Sequence, residues 1–165
     1  MVSTASEIGT LIRIFNTNDG NLLKEIRRGF NNSLIYDIIF SENNLLLGVS
    51  SNKKTIHIFS IEEAYKKISF NYNLINEIPQ NKKSIFKKLP KFFFDGYFQS
   101  EWSFMRININ EKNCLLGLIN DDILIAINEN GKYYKISLDL KNGKNYEIIN
   151  SDIIFWYLNI VISVF

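Results

Sequence analysis

The chain has 165 residues, of which 46% are hydrophobic and 14% aromatic, a composition typical of a folded domain with its own core. Its net charge of +2 is too small to indicate nucleic-acid binding by itself. The single cysteine, Cys114, and the single histidine, His57, exclude a disulfide framework and a zinc site built from Cys/His clusters. A reducing, intracellular compartment is the natural expectation.

Short apolar segments separated by turn residues follow one another along most of the chain. The first strand is expected at residues 3–6, and the turn clusters include Asn18-Asp19-Gly20 and Asn130-Gly131. Strands this closely spaced, without alternating helices, predict an all-β sandwich, barrel or propeller. Further strands are predicted at residues 10–15, 22–28, 34–40, 45–50, 55–61, 102–109, 115–119, 123–127 and 132–138.

Two of these segments repeat each other. Ser6 and the run Thr10 to Phe15 are echoed by Ser51 and the run Thr55 to Phe59, at an offset of 44 to 45 residues. Blades of WD-type propellers recur at roughly 40–45 residues. The repeat therefore favours a propeller over the other all-β architectures.

The stretch at about residues 62–99 breaks the strand pattern, and long loops inside compact domains are usually functional or disordered. Its central lysines have no acidic residue among them, and Phe92 to Phe94 follow. We favour a loop outside the blades that inserts into membranes, because lysines are attracted to anionic surfaces and an inserted Phe adds apolar contact. Compositional disorder is the alternative, and Phe92 to Phe94 could belong to the core instead. The loop residues expected to contact the membrane are Lys82, Lys83, Phe86, Lys87, Lys88 and Leu89.

The chain ends in an apolar tail at about residues 151–165. From Ile153 to Phe165 it is nearly all apolar but shorter than the roughly 20 residues that a spanning helix needs, so a buried strand is expected. Trp102 and Phe104 are predicted to be blade core, and Cys114 a small buried strand residue. No Gly-rich phosphate loop and no spaced carboxylate pair beside a nucleophile is present, so no enzyme, cofactor or metal is predicted.

Several segments, in order, resemble a known family. The most diagnostic is Ile26-Arg27-Arg28-Gly29, preceded by Thr4 to Phe15. These residues, with the stretches at 38–59, 89–104 and 131–137, resemble the C-terminal half of a PROPPIN, a WIPI-like, autophagy-related WD-repeat β-propeller that binds phosphoinositides. The resemblance covers roughly residues 3–140.

The resemblance implies an all-β fold across residues 1–165, a partial WD40-like propeller of about two and a half to three blades out of seven. It also implies a non-enzymatic, peripheral membrane effector that recognises phosphatidylinositol 3-phosphate and phosphatidylinositol 3,5-bisphosphate. Such a protein acts in autophagy or related trafficking from the cytoplasm, on endosomal, vacuolar or autophagosomal membranes. The expected partners are those membranes and autophagy-type proteins, with no nucleic acid.

The resemblance implies two lipid sites. Neighbouring strand residues point to opposite faces, so Arg27 and Arg28 can each enter a different cleft. Arginine suits both, since its planar guanidinium makes paired bonds to phosphate. The first site, Arg27 with Ser6, Thr10 and Arg13, is expected to be incomplete because most of the preceding blade is absent. Phe30 and Ile8 depart from the polar and basic residues usual in the family. The second site that the resemblance implies is expected to comprise Arg28, Gly29, Ser50, Ser51, Lys53, Lys54, Thr55 and His57.

Two alternative functions remain open at this stage. One is a protein-interaction scaffold whose lipid sites have degenerated, and a more distant one is a nucleic-acid-binding β domain that uses the lysine loop. Seven blades need about 300 residues, so this chain is expected to form an incomplete, curved array of sheets or to self-associate.

Overall fold

A computed structural model describes residues 1–68, 79–83, 101–141 and 145–153. The first sheet contains five strands in the order β1 (Val2–Ala5), β2 (Leu11–Phe15), β3 (Leu22–Arg27), β8 (Glu101–Trp102) and β7 (Lys82–Lys83). Its strands pair antiparallel except β3 and β8, which are parallel.

The other two sheets are antiparallel, with four strands each. The second has the order β4 (Ile35–Phe40), β5 (Leu46–Ser51), β6 (Thr55–Ser60) and β9 (Met105–Asn108). The third follows the chain as β10 (Leu115–Ile119), β11 (Ile123–Ile127), β12 (Lys132–Leu138) and β13 (Tyr146–Ile153). One short helix, α1 (Glu62–Lys66), follows β6. The all-β prediction is confirmed.

The second sheet lies between the other two, and two apolar cores fill the spaces on either side of it. Every residue of β5 and β6 is buried. Successive residues of a strand point to opposite faces, so Leu47 and Phe59 join the core shared with the first sheet, whereas Leu46 and Ile58 join the core shared with the third. Each fully buried side chain of this size contributes roughly 1.5–3 kcal/mol, so the cores hold the three sheets together.

Two strands were not predicted from the sequence, and one predicted strand is divided. β13 has seven exposed residues out of eight, so its sequence carries no apolar alternation to reveal it. It includes residues 151–153 of the predicted tail, and residues 154–165 lie outside the described part. The strand predicted at residues 102–109 is two strands in different sheets, because β8 joins the first sheet and β9 the second.

The prediction that residues 62–99 lie outside the blades is wrong for the described parts of that segment. Ala64 of α1 is buried in the core between the first two sheets. Lys82 and Lys83 form β7, which adds to the first sheet through β8. A two-residue lysine strand has no apolar face, which explains why the sequence did not reveal it. Phe86, Lys87, Lys88 and Leu89 lie outside the described residues.

Candidate functional site

A cleft of about 800 Å³ opens between the first and second sheets. Six of the residues that line it are cationic, and none is acidic. An unopposed group of cations beside a cavity favours an anionic ligand. This basic cleft is lined by Arg28, Gly29, Phe30, Asn31, Lys53, Lys54, Thr55, His57, Lys82, Lys83, Trp102, Ser103 and Arg106.

Arg28 is fixed at the end of β3 by its backbone and by its guanidinium. Its backbone N–H donates to the carbonyl of Thr10 at 3.0 Å, while Nη2 donates to the carbonyl of Asn31 at 3.0 Å and Nε to that of Gly9 at 3.4 Å. The side chain is held against two neutral carbonyls rather than a carboxylate, so its charge is available to a ligand. Burial, and secondarily Arg106, lowers the pKa of Arg28, although an arginine stays cationic at neutral pH.

Gly9 permits this arrangement because a larger residue would not fit there. Its φ is +64°, and an added Cβ would lie 1.6 Å from the carbonyl oxygen of Ser33. The turn that contains Gly9 can therefore approach the loop after β3 closely enough for Arg28 to bond both.

His57 lies on β6 at the floor of the cleft and is nearly enclosed. Its Nδ1 is 2.9 Å from Oγ of Ser103 and its Nε2 is 3.4 Å from Oγ1 of Thr55. Burial, followed by the charges of Arg28, Arg106 and Lys82, lowers the pKa of His57 to about 3. The ring is therefore neutral at physiological pH, and it orients two hydroxyl groups that line the cleft.

The lysines of β7 are placed beside the cleft by Asn81. The Asn81 side chain accepts from the backbone N–H of Ser60 at 2.7 Å and donates to the Ser60 carbonyl at 2.7 Å, as a strand backbone would. It also donates to Oε2 of Glu101 at 3.0 Å. Lys24 adds a second brace, because its Nζ contacts carboxylates of Glu63 and Glu101 at 2.9 and 2.8 Å.

The cleft brings together six of the eight residues predicted for the second site, but not the two serines. Ser50 and Ser51 do not line it, and both are buried in β5. The Ser50 hydroxyl donates to the carbonyl of Cys114, and Oγ of Ser51 accepts from the backbone N–H of Lys53 at 3.2 Å. Their hydroxyl groups thus bond within the fold, and Ser51 shapes the turn that carries the two lysines.

The residues predicted for the first site do not line the basic cleft. Arg27 is buried, and Thr10 is buried with no hydrogen-bond partner for its hydroxyl among the described residues. Ser6 supports the following turn, since its Oγ accepts from the backbone N–H groups of Thr10 and Leu11. Arg13 is largely exposed and pairs with Glu25 at 2.9 Å. A lipid role for these four residues stays a prediction.

Sequence reasoning missed several residues of the cleft. Arg106 lies opposite His57 in the register of β6 and β9. These two strands are far apart in the sequence, so their pairing could not be predicted from a local pattern. Trp102, predicted to be blade core, is half-buried and lines the cleft instead. The sequence did not reveal the place of Trp102, since the parallel pairing of β3 with β8 joins distant segments and leaves no local pattern. Phe104 and Cys114 are buried as predicted.

Neither a spanning helix nor a metal cluster is found in residues 1–68, 79–83, 101–141 and 145–153. No helix there is long and apolar enough to cross a bilayer. No group of three or more His, Cys, Asp or Glu side chains there could hold a metal ion.

Three packed sheets, in which all strand pairs but one are antiparallel, with a basic cleft between two of them, define a β-propeller segment. The chain belongs to the PROPPIN family, whose family model matches residues 1–152. It is 33% identical over 162 residues to SVP1-like protein 2 of Saccharomyces cerevisiae. The alignment covers 94% of this chain and 35% of that protein. It is 28% identical over 145 residues to autophagy-related protein 18e of Arabidopsis thaliana, and this alignment covers 87% of this chain and 35% of that protein.

Solved structures show the same fold. Kluyveromyces lactis Hsv2 with a complete loop 6CD superposes with a TM-score of 0.64 at 25% identity, over 92% of this chain and 44% of that one. The predicted partial propeller is thus confirmed. The chain spans about a third of the length of the curated relatives described above.

Proposed function

We propose that this chain is a non-enzymatic, phosphoinositide-binding module whose basic cleft takes the phosphorylated inositol ring of phosphatidylinositol 3-phosphate or phosphatidylinositol 3,5-bisphosphate. The observation that carries the proposal is the set of six cations without a carboxylate around one open cleft. Membership of the PROPPIN family supports it.

The chemistry of the cleft suits a phosphate monoester on a polyhydroxylated ring. Arg28 offers guanidinium N–H groups for charge-assisted bonds, and the hydroxyls of Thr55 and Ser103 offer neutral ones. The lysines on both sides of the cleft supply charge without fixed geometry, which fits a second phosphate at a variable position. A cavity of about 800 Å³ lies within the range of small-ligand sites, so it can hold one head group.

Membrane attachment would be peripheral and would combine several weak contacts. The first-site residues Arg27, Ser6, Thr10 and Arg13 would form a second head-group site with a preceding blade. The predicted membrane-loop residues Lys82, Lys83, Phe86, Lys87, Lys88 and Leu89 would add contact with the bilayer. Linked weak sites gain avidity through effective concentration. The serines of β5 would contribute by shaping the turn at Lys53 and Lys54.

The cellular role would be in autophagy or related trafficking, on the cytoplasmic side of endosomal, vacuolar or autophagosomal membranes. The name of the Arabidopsis relative, autophagy-related protein 18e, supports this assignment. Autophagy-type proteins would be its protein partners.

Vesicle flotation tests the proposed function. Wild-type protein should float with phosphatidylcholine vesicles that contain phosphatidylinositol 3-phosphate. It should float much less with control vesicles in which phosphatidylserine supplies the same total negative charge. Replacing Arg27 and Arg28 together with Thr should abolish the selective part while the circular-dichroism spectrum stays β-rich. Equal flotation on both anionic vesicles would leave only nonspecific attraction, and no flotation would favour a protein-interaction scaffold with degenerate lipid sites.

A further inference from the structure

We infer, on the basis of the proposed function, that an apolar rim beside the basic cleft inserts into the interfacial region of the bilayer while the cleft holds the head group. We define the apolar rim as Ile8, Phe30, Leu34 and Trp102. It is a separate membrane contact from the lysine-rich loop.

Arg28 holds together the two segments that carry Ile8, Phe30 and Leu34, and Trp102 lies beside them because β8 pairs with β3. The Arg28 guanidinium bonds the carbonyls of Gly9 and Asn31, which belong to the turn after β1 and the loop after β3. The backbone N–H of Ser33 also donates to the carbonyl of Ile8 at 3.1 Å. Because these bonds join the two segments, Ile8 and Leu34 are carried on adjoining backbone beside the cleft.

The aromatic members of the rim form a tilted ring pair within the lining itself. The rings of Phe30 and Trp102 are 4.5 Å apart at an angle of 38°. Phe30 is nevertheless 62% exposed, Leu34 66% and Ile8 53%. Isolated exposed apolar side chains are ordinary on protein surfaces, whereas a group of them beside a charged cleft marks an interaction site.

Because the head group is attached to a membrane lipid, its binding determines which surface of the protein faces the bilayer. An inositol ring in a membrane is joined to glycerol and acyl chains, so a cleft that holds it must open toward the bilayer. Side chains at the mouth are then the first to reach the headgroup region, where tryptophan is favoured and lysine and arginine contact anionic lipid. Cations beside the exposed ring of Phe30 and the half-buried ring of Trp102 match both parts of that boundary.

Replacing Leu34 with Ser separates the two contacts, because Leu34 belongs to the apolar rim but does not line the basic cleft. Titration calorimetry with soluble inositol 1,3-bisphosphate should give the same affinity for Leu34→Ser as for wild type. Binding to phosphatidylcholine vesicles that contain phosphatidylinositol 3-phosphate should fall by roughly fivefold, as expected for losing half of the burial of a leucine side chain. Leu22→Ser is the matched control, since Leu22 is 51% exposed at the opposite end of β3, and it should leave vesicle binding unchanged.

Fluorescence gives a second measurement that does not depend on affinity. The chain has two tryptophans, so Trp156→Phe leaves Trp102 as the only source of tryptophan fluorescence. Lipids brominated near the head group should quench Trp102 in the vesicle-bound protein. Unchanged vesicle binding of Leu34→Ser, or an unquenched Trp102, would overturn the inference and leave the rim to a protein partner.

Two further outcomes separate this inference from the proposed function. An equal loss of soluble and vesicle binding in Leu34→Ser would place Leu34 in head-group recognition and contradict insertion. If wild type takes no soluble head group, the proposed function fails. Leu34-dependent binding to vesicles without phosphoinositide would still support the apolar rim as a membrane contact.

Discussion

At the scale of single residues, His57 makes the free energy of unfolding depend on pH. Its pKa is about 3 in the folded chain, against about 6.5 for an exposed histidine. The unfolded chain therefore binds a proton first as the pH falls, so the stabilisation is complete above about pH 6.5 and is lost progressively toward pH 3. Each pH unit within this window lowers the folding equilibrium constant by up to about tenfold.

Urea denaturation at about pH 7 and about pH 5 should show this loss, because most carboxylates stay ionised over that interval. His57→Gln should be less stable at the higher pH but nearly insensitive to the change. An unaltered pH slope in His57→Gln would show that another group is responsible.

Cys114 should be inert in the native chain. Burial, followed by Glu111, raises the pKa of its thiol to about 11, and only the thiolate reacts with alkylating reagents. Iodoacetamide at about pH 8 should modify Cys114 slowly in native protein and rapidly in urea. Rapid labelling of the native protein, monitored by mass spectrometry, would contradict this prediction and show that the thiol is accessible.

At the scale of elements, the attachment of β7 depends on Asn81. Asn81→Ala removes both bonds to the Ser60 backbone, and leaving such buried groups unpaired costs roughly 1–3 kcal/mol each. We expect faster tryptic cleavage after Lys82 and Lys83 and weaker head-group binding, measured by mass spectrometry and calorimetry. Asn150→Ala is the control, because Asn150 is exposed and its amide bonds only the hydroxyl of Tyr133 among the described contacts. Equal cleavage rates in the two variants would contradict this role.

The elements also show what could be predicted from the sequence. Strands β2 to β6 and β10 to β12 alternate or bury apolar residues and end at turn residues, so local pattern was sufficient to find them. β7 and β8 owe their place to pairing across a long segment, and β13 has almost no buried face. The same distinction applies to the site. The family resemblance implied Arg28, Lys53, Lys54, Thr55 and His57, whose segments lie close together in the sequence. Ser103 and Arg106 come from a distant segment and were not predicted.

At the scale of the whole molecule, the outer sheets carry apolar side chains that predict self-association. Ile148, Ile149 and Ile153 are exposed on β13, which is the edge of the third sheet in the described part. Exposed edges of this kind pair with other chains. Sedimentation velocity should show concentration-dependent dimers or larger species, which Ile149→Lys should reduce. A monomer at all concentrations would contradict this prediction.

The central claim is that the basic cleft binds the phosphorylated inositol ring, and calorimetric titration of soluble inositol 1,3-bisphosphate tests it most directly. Wild type should bind, and Arg28→Thr should lose at least about tenfold in affinity, the usual effect of losing a charge-assisted hydrogen bond. Arg106→Gln serves as a second variant because Arg106 is exposed and its loss should leave the fold intact. Weaker binding in both folded variants is the predicted result. No binding by folded wild type, or unchanged affinity in both variants, would contradict the account.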